Sequence, residues 1–134
     1  MPTKLMTSPR TFGLTHIALA VKDTQRSLKF YQGVFGVKVM YEKPGWIQVK
    51  TPGSHDILVF EEGKKSGIGK SGGIAHFGFR LRRAAYIREM VKRIHRAGGK
   101  ITSQGEFVPG EPYVFFRDPD GYEIEVWYEL LPRK

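Results

Sequence analysis

A chain of 134 residues, 40% hydrophobic and 26% charged, has the size and balance of one folded domain and excludes an intrinsically disordered protein. With no cysteine it has no disulfides, thiolate metal ligands or cysteine nucleophiles. Its 22 Lys and Arg against 13 Asp and Glu give a net charge of +9, but these cations are scattered over the termini, turns and one helix without a nucleic-acid motif, so no specific nucleic-acid partner is expected.

Met1 to Arg10 holds charges and prolines but no apolar run of signal-peptide length, and nothing later approaches a membrane span. A soluble cytoplasmic protein is expected. Residues 14–21 then alternate, with Ile17, Leu19 and Val21 on one face and His16, Ala18 and Ala20 on the other, which predicts a strand. Asp23 is a suitable N-cap for a helix whose stripe of Leu28, Tyr31 and Phe35 ends near Gly36. Three β-prone runs follow, Val37 to Tyr41, Trp46 to Lys50 and Ile57 to Glu62. Gly63 to Gly73, rich in Gly, Ser and Lys, reads as a connector.

The pattern then repeats. Residues 74–81 place Ala75, Phe77, Phe79 and Leu81 on one face and His76, Gly78 and Arg80 on the other. A helix with an Ile87, Val91, Ile94 stripe stops at Gly98-Gly99. Three further runs cover Lys100 to Ser103, Tyr113 to Arg117 and Tyr122 to Leu130, the last two joined by an Asp118-Pro119-Asp120-Gly121 turn. The chain therefore reads as one α+β domain over residues 1–134, built of two paired βαβββ modules, about 12–62 and 74–130, joined by the linker at about 63–73. Their strands form a curved, cup-shaped mixed sheet with the helices on its convex side.

If alternation assigns Ile17, Phe77, Ile124 and Val126 to the helix side, the opposite face holds His16, His76 and Glu125. Each histidine on its own is accounted for by a hydrogen bond to a neighbour. Taken together, two imidazoles and a carboxylate from three strands form an open facial triad suited to a divalent metal, and a buried carboxylate needs a cation.

The runs Leu14-Thr15-His16-Ile17, Phe30-Tyr31, Ala75-His76-Phe77-Gly78-Phe79 and Asp118-Pro119-Asp120-Gly121-Tyr122-Glu123-Ile124-Glu125 resemble the vicinal oxygen chelate superfamily of glyoxalases, fosfomycin- and bleomycin-resistance proteins and extradiol dioxygenases. The resemblance spans about residues 12–129 and implies one divalent metal ion (Fe, Mn, Zn, Ni or Co) held by His16, His76 and Glu125, in a homodimer acting on a small molecule. Bacterial glyoxalase I uses a fourth ligand, a Glu, on the last strand of its first module. Aligning the final strands as Ile57 to Glu62 against Ile124 to Glu129 puts Leu58 there, which moves the expectation away from that enzyme. Extradiol dioxygenases carry a Tyr where this chain has Phe115, and Gly105 to Pro112 lacks the anion-binding signature of the fosfomycin enzymes.

The expected cup is lined by Trp46, Leu58, Phe60, Phe115 and Trp127, with Arg80 and Arg117 to orient an anionic group and Tyr113 as the candidate proton-transfer residue. The expectation is thus a metal-dependent enzyme for a small, oxygen-chelating, anionic substrate. The alternative is a non-catalytic binding or antibiotic-resistance protein using the same cup.

Overall fold

The computed structural model describes residues 9–63 and 66–130. The ends of the expected 1–134 domain, and residues 64 and 65 of the expected linker, lie outside the described residues. Two four-stranded mixed sheets and two helices make the α+β architecture. The first sheet has the order β1 (His16–Val21), β4 (Ile57–Glu62), β3 (Trp46–Lys50), β2 (Lys38–Lys43), and helix α1 (Thr24–Phe35) packs on it. The second repeats that order with β5 (Phe77–Arg80), β8 (Glu123–Trp127), β7 (Pro112–Arg117) and β6 (Lys100–Glu106), against helix α2 (Ile87–Ala97). In each sheet the first strand runs parallel to the last while the remaining pairs are antiparallel.

Local chemistry sets the helix boundaries. Asp23 accepts hydrogen bonds from the N–H groups of Gln25 (2.9 Å) and Arg26 (3.2 Å), satisfying two of the orphan donors that open α1. Gly36 and Gly98, both left-handed, end the two helices at the cost only glycine avoids. A short 3-10 turn at Ala84–Tyr86, absent from the sequence reading, leads into α2.

The helix-facing strand residues meet in a single apolar core: Leu19, Val21, Ile47, Val49, Leu58 and Phe60 from the first sheet, Val114, Phe116, Ile124 and Val126 from the second. Aromatic rings stitch the halves together. Phe35 of α1 stacks on Phe79 of β5 with centroids 3.8 Å apart, and Phe30 lies 6.2 Å from Phe116.

A polar clasp reinforces this join. The Asp118 carboxylate takes N–H bonds from Asp120, Gly121 and Tyr122 through Oδ1 and the buried Tyr31 hydroxyl through Oδ2 (2.7 Å). Burial pushes the Asp118 carboxyl above its ordinary value, opposed by the Tyr31 hydrogen bond and the backbone donors. Tyr31 is itself driven well above the usual phenol range by burial and then by the Asp118 charge. Beside it, Asp120 accepts from the Lys22 N–H (3.1 Å) and pairs with Arg26 (2.6 Å), while the Tyr122 hydroxyl donates to the Ala20 carbonyl (2.7 Å). The turn expected merely to join two strands thus also fastens the second half of the chain to the first.

Candidate functional site

Strand register decides which residues share a face, because partners across a ladder point the same way. In the second sheet Gly78 pairs with Glu125, Phe115 with Glu125, Arg80 and Tyr113 with Trp127, and Arg117 with Glu123. Their side chains occupy the helix-free face, since the intervening Ile124, Val126, Val114 and Phe116 are fully buried in the core.

His76, the residue before β5, places Nε2 3.2 Å from Oε1 of Glu125. The Glu125 side chain is only 12% exposed and that of His76 37%. The ring of Phe115 meets His76 edge-on at 5.0 Å, fixing one flank of the imidazole. Gly78 leaves room on the other side: a Cβ there would sit 3.2 Å from the Glu125 carbonyl oxygen and 3.7 Å from its carboxylate. His76 also borders a cleft of about 630 Å³ that takes in Ala18, Glu61, Lys70, Arg117 and Glu123, so a flank of the ring is accessible.

The remaining second-sheet residues surround this pair. Tyr113 stacks on Phe107 (4.2 Å) and meets Phe115 edge-on (5.6 Å), with its hydroxyl over Gly105. Arg80 lies 5.8 Å from the Trp127 ring centroid, a cation–π distance. Arg117 donates to the Gly121 carbonyl (2.9 Å) and lies 3.9 Å from Glu123, so the turn already engages part of its guanidinium.

His16 stands apart from the pair. It is exposed at the start of β1, and among the described residues no three His, Cys, Asp or Glu side chains of one chain come within reach of a single metal ion. One chain therefore brings two of the three expected ligands together. β1 and β5 are both sheet edges, and the segments leading into them carry exposed apolar side chains: Phe12, Leu14 and Ile74 are 101%, 99% and 63% exposed.

The first sheet requires a correction. Leu58 and Phe60 do not line the open face; they pair with Ile17 and Leu19 and are 3% and 0% exposed, Phe60 packing 5.0 Å from Tyr31 of α1. The open face instead carries Val59 and Glu61, with Gln48 and Trp46 as their partners on β3. The repeat alignment shifts with it, since Ile17 pairs with Leu58 where Phe77 pairs with Ile124, and Ala18 with Val59 where Gly78 pairs with Glu125. The counterpart of Glu125 is Val59. Trp46 donates to Glu61 (3.4 Å), meets Tyr41 edge-on and has the Lys43 ammonium 5.4 Å from its ring centroid. Glu61 escaped the sequence reading for the same reason that displaced Leu58.

Comparisons with known proteins show the family and the fold. Residues 13–126 match the family model for the Glyoxalase/Bleomycin resistance protein/Dioxygenase superfamily. The uncharacterized protein PA2024 of Pseudomonas aeruginosa is 30% identical over 122 residues, covering 86% of this chain and 87% of that protein. Lactoylglutathione lyase of Salmonella typhimurium is 32% identical over 126 residues, covering 84% and 90%. Among solved structures, the fosfomycin resistance protein FosX from Listeria monocytogenes, complexed with Mn(II) and sulfate, superposes with a TM-score of 0.73 at 22% identity, covering 91% of this chain and 94% of that one.

Proposed function

Because the chain belongs to the Glyoxalase/Bleomycin resistance protein/Dioxygenase superfamily, we propose that it is a divalent-metal-dependent enzyme whose site is shared between two subunits, acting on a small, oxygen-chelating, anionic molecule. The observation that carries this reading is the approach of His76 Nε2 to Glu125 Oε1, 3.2 Å, on the helix-free face. An imidazole nitrogen and a nearly buried carboxylate converging beside a glycine fit a divalent cation in donor type and in space. His16 of the partner subunit supplies the third ligand. The edges of β1 and β5, unpaired among the described residues, and the exposed Phe12, Leu14 and Ile74 side chains give a second copy a strand edge and apolar surface to cover.

When bound, the metal supplies Lewis-acid stabilisation of negative charge on substrate oxygen. The chain's own residues do the rest. Phe115 braces the His76 imidazole and keeps water from one side of it. Arg80, held over Trp127, offers its guanidinium to the substrate's anionic group, with Arg117 in support from the turn. Proton exchange with substrate is assigned to the Tyr113 hydroxyl, whose ring meets Phe115 edge-on. Trp46 and Gln48 of the partner subunit, on the same open first-sheet face as His16, complete the wall in place of Leu58 and Phe60. With Val59 opposite Glu125 in the repeat, a four-ligand glyoxalase I site is not the expected arrangement.

Metal analysis of the purified protein and two variants tests this. Wild type should carry about one divalent ion per chain, and His16→Ala and Glu125→Ala should each lose it while staying folded. Mixing the two variants should restore one site per mixed dimer, because one shared site then has all three ligands. Metal-free wild type after reconstitution overturns the metal reading, and a mixture that recovers none overturns the shared site.

A further inference from the structure

On the far side of the molecule, where the helices cross, lies a second concavity unrelated to the His76–Glu125 pair. Gly33 of α1 marks the crossing: a Cβ there would lie 3.3 Å from that of Ala97 on α2. Beside it opens a cleft of about 430 Å³ lined by Arg26 and Lys29 from α1, Arg93 and Arg96 from α2, and Pro119 of the turn, over Phe30.

Among the described residues no carboxylate lines this cleft. Arg26 is paired with Asp120 (2.6 Å) and Arg93 with Glu89 (3.2 Å), yet among the described residues neither Lys29 nor Arg96 has a carboxylate partner. Four cations from two helices, two of them uncompensated, repel one another around the cleft, and an anion relieves that repulsion. The uncompensated pair comes from different helices and lines one cleft, so a ligand bridging the helices meets both at once.

We infer that this cleft is a binding site for a compact polyanion of the phosphate type, such as a pyrophosphate group free or at the end of a nucleotide. Arginine forks and a lysine point charge match tetrahedral oxyanions. The volume admits a diphosphate. Phe30, only 3% exposed, presents no ring face on which a base would stack, so the site reads phosphate oxygens and is indifferent to what they are attached to. A concavity closed by Pro119 also differs from the extended basic stripe that a nucleic-acid duplex tracks.

The experiment is calorimetric titration of the intact protein with sodium pyrophosphate and, separately, ATP, at low and at near-physiological salt. Both ligands should bind with similar affinity, weakening as salt rises. A variant carrying Lys29→Glu and Arg96→Glu should lose roughly tenfold or more in affinity, since two attractions become repulsions. Both residues are exposed, and a circular dichroism spectrum and thermal midpoint like those of wild type establish that this variant is folded. Because pyrophosphate also chelates divalent metal, Glu125→Gln, which cannot hold the metal, should retain one pyrophosphate site that adding Lys29→Glu and Arg96→Glu removes, which separates this cleft from the cup. Absent binding at millimolar pyrophosphate, equal binding by the double variant, loss of binding in Glu125→Gln, or tighter binding of a DNA duplex than of pyrophosphate would each overturn the inference.

Discussion

Removing the Tyr31 hydroxyl should destabilise the protein more at neutral than at acid pH. Tyr31 is 0% exposed, so Tyr31→Phe keeps the ring and its packing while leaving Asp118 Oδ2 without its 2.7 Å donor and without access for water to replace it. A hydrogen bond to an ionised group contributes about 1.5–3 kcal/mol, one between neutral groups about 0.5–1.5 kcal/mol. The Asp118 pKa is raised in the folded protein, so this group's contribution to stability is fully present below its unfolded pKa and is lost as pH rises through its folded pKa. Because the Tyr31 bond opposes that rise, its deletion moves the folded pKa higher and deepens the loss. The cost of Tyr31→Phe should therefore be about 1 kcal/mol near pH 4 and about 2–3 kcal/mol near pH 7. Urea denaturation of both proteins at the two pH values measures it, and titrations common to both cancel in the difference. A cost below about 0.5 kcal/mol at both pH values, or one larger at acid pH, would refute the clasp as described.

Gly69→Ala should destabilise by about 1–2 kcal/mol or more, because Gly69 is left-handed (φ +80°) and a Cβ would collide with the Asp120 carbonyl; an unchanged thermal midpoint would show that the connector is not seated on the turn. Val59→Glu should place a carboxylate opposite Glu125 and tighten metal binding by roughly tenfold, read by competition with a chelating dye, and weaker binding would count against the register-based repeat.

Much of this was legible from the sequence, for identifiable reasons. Where one strand face is buried and the other is not, as in Ile17-Ala18-Leu19-Ala20-Val21, a period of two assigns every side chain, and it put His16 on the open face. Asp23, Gly36 and Gly98 marked helix ends because cap chemistry is local. β4 offered no such signal. Ile57, Leu58, Val59 and Phe60 are all apolar and the last three are buried, so the run has no parity to read and slipped by one residue against β8. Nor does any local pattern reveal that Asp118 reaches a tyrosine 87 positions earlier, or that His16 stands away from the two residues it was grouped with.

The clasp bears on how the molecule comes apart. Two modules with the same strand order would, if merely tethered, be expected to melt as two overlapping events, each half keeping its own enthalpy. Here the first helix inserts Tyr31 and Phe35 against the second half, and Asp118 and Asp120 hold its start and flank, so neither half has a complete interior without the other. A repeat that is evident in the order of the strands should therefore be hidden from calorimetry, with the pair absorbing heat as one cooperative unit.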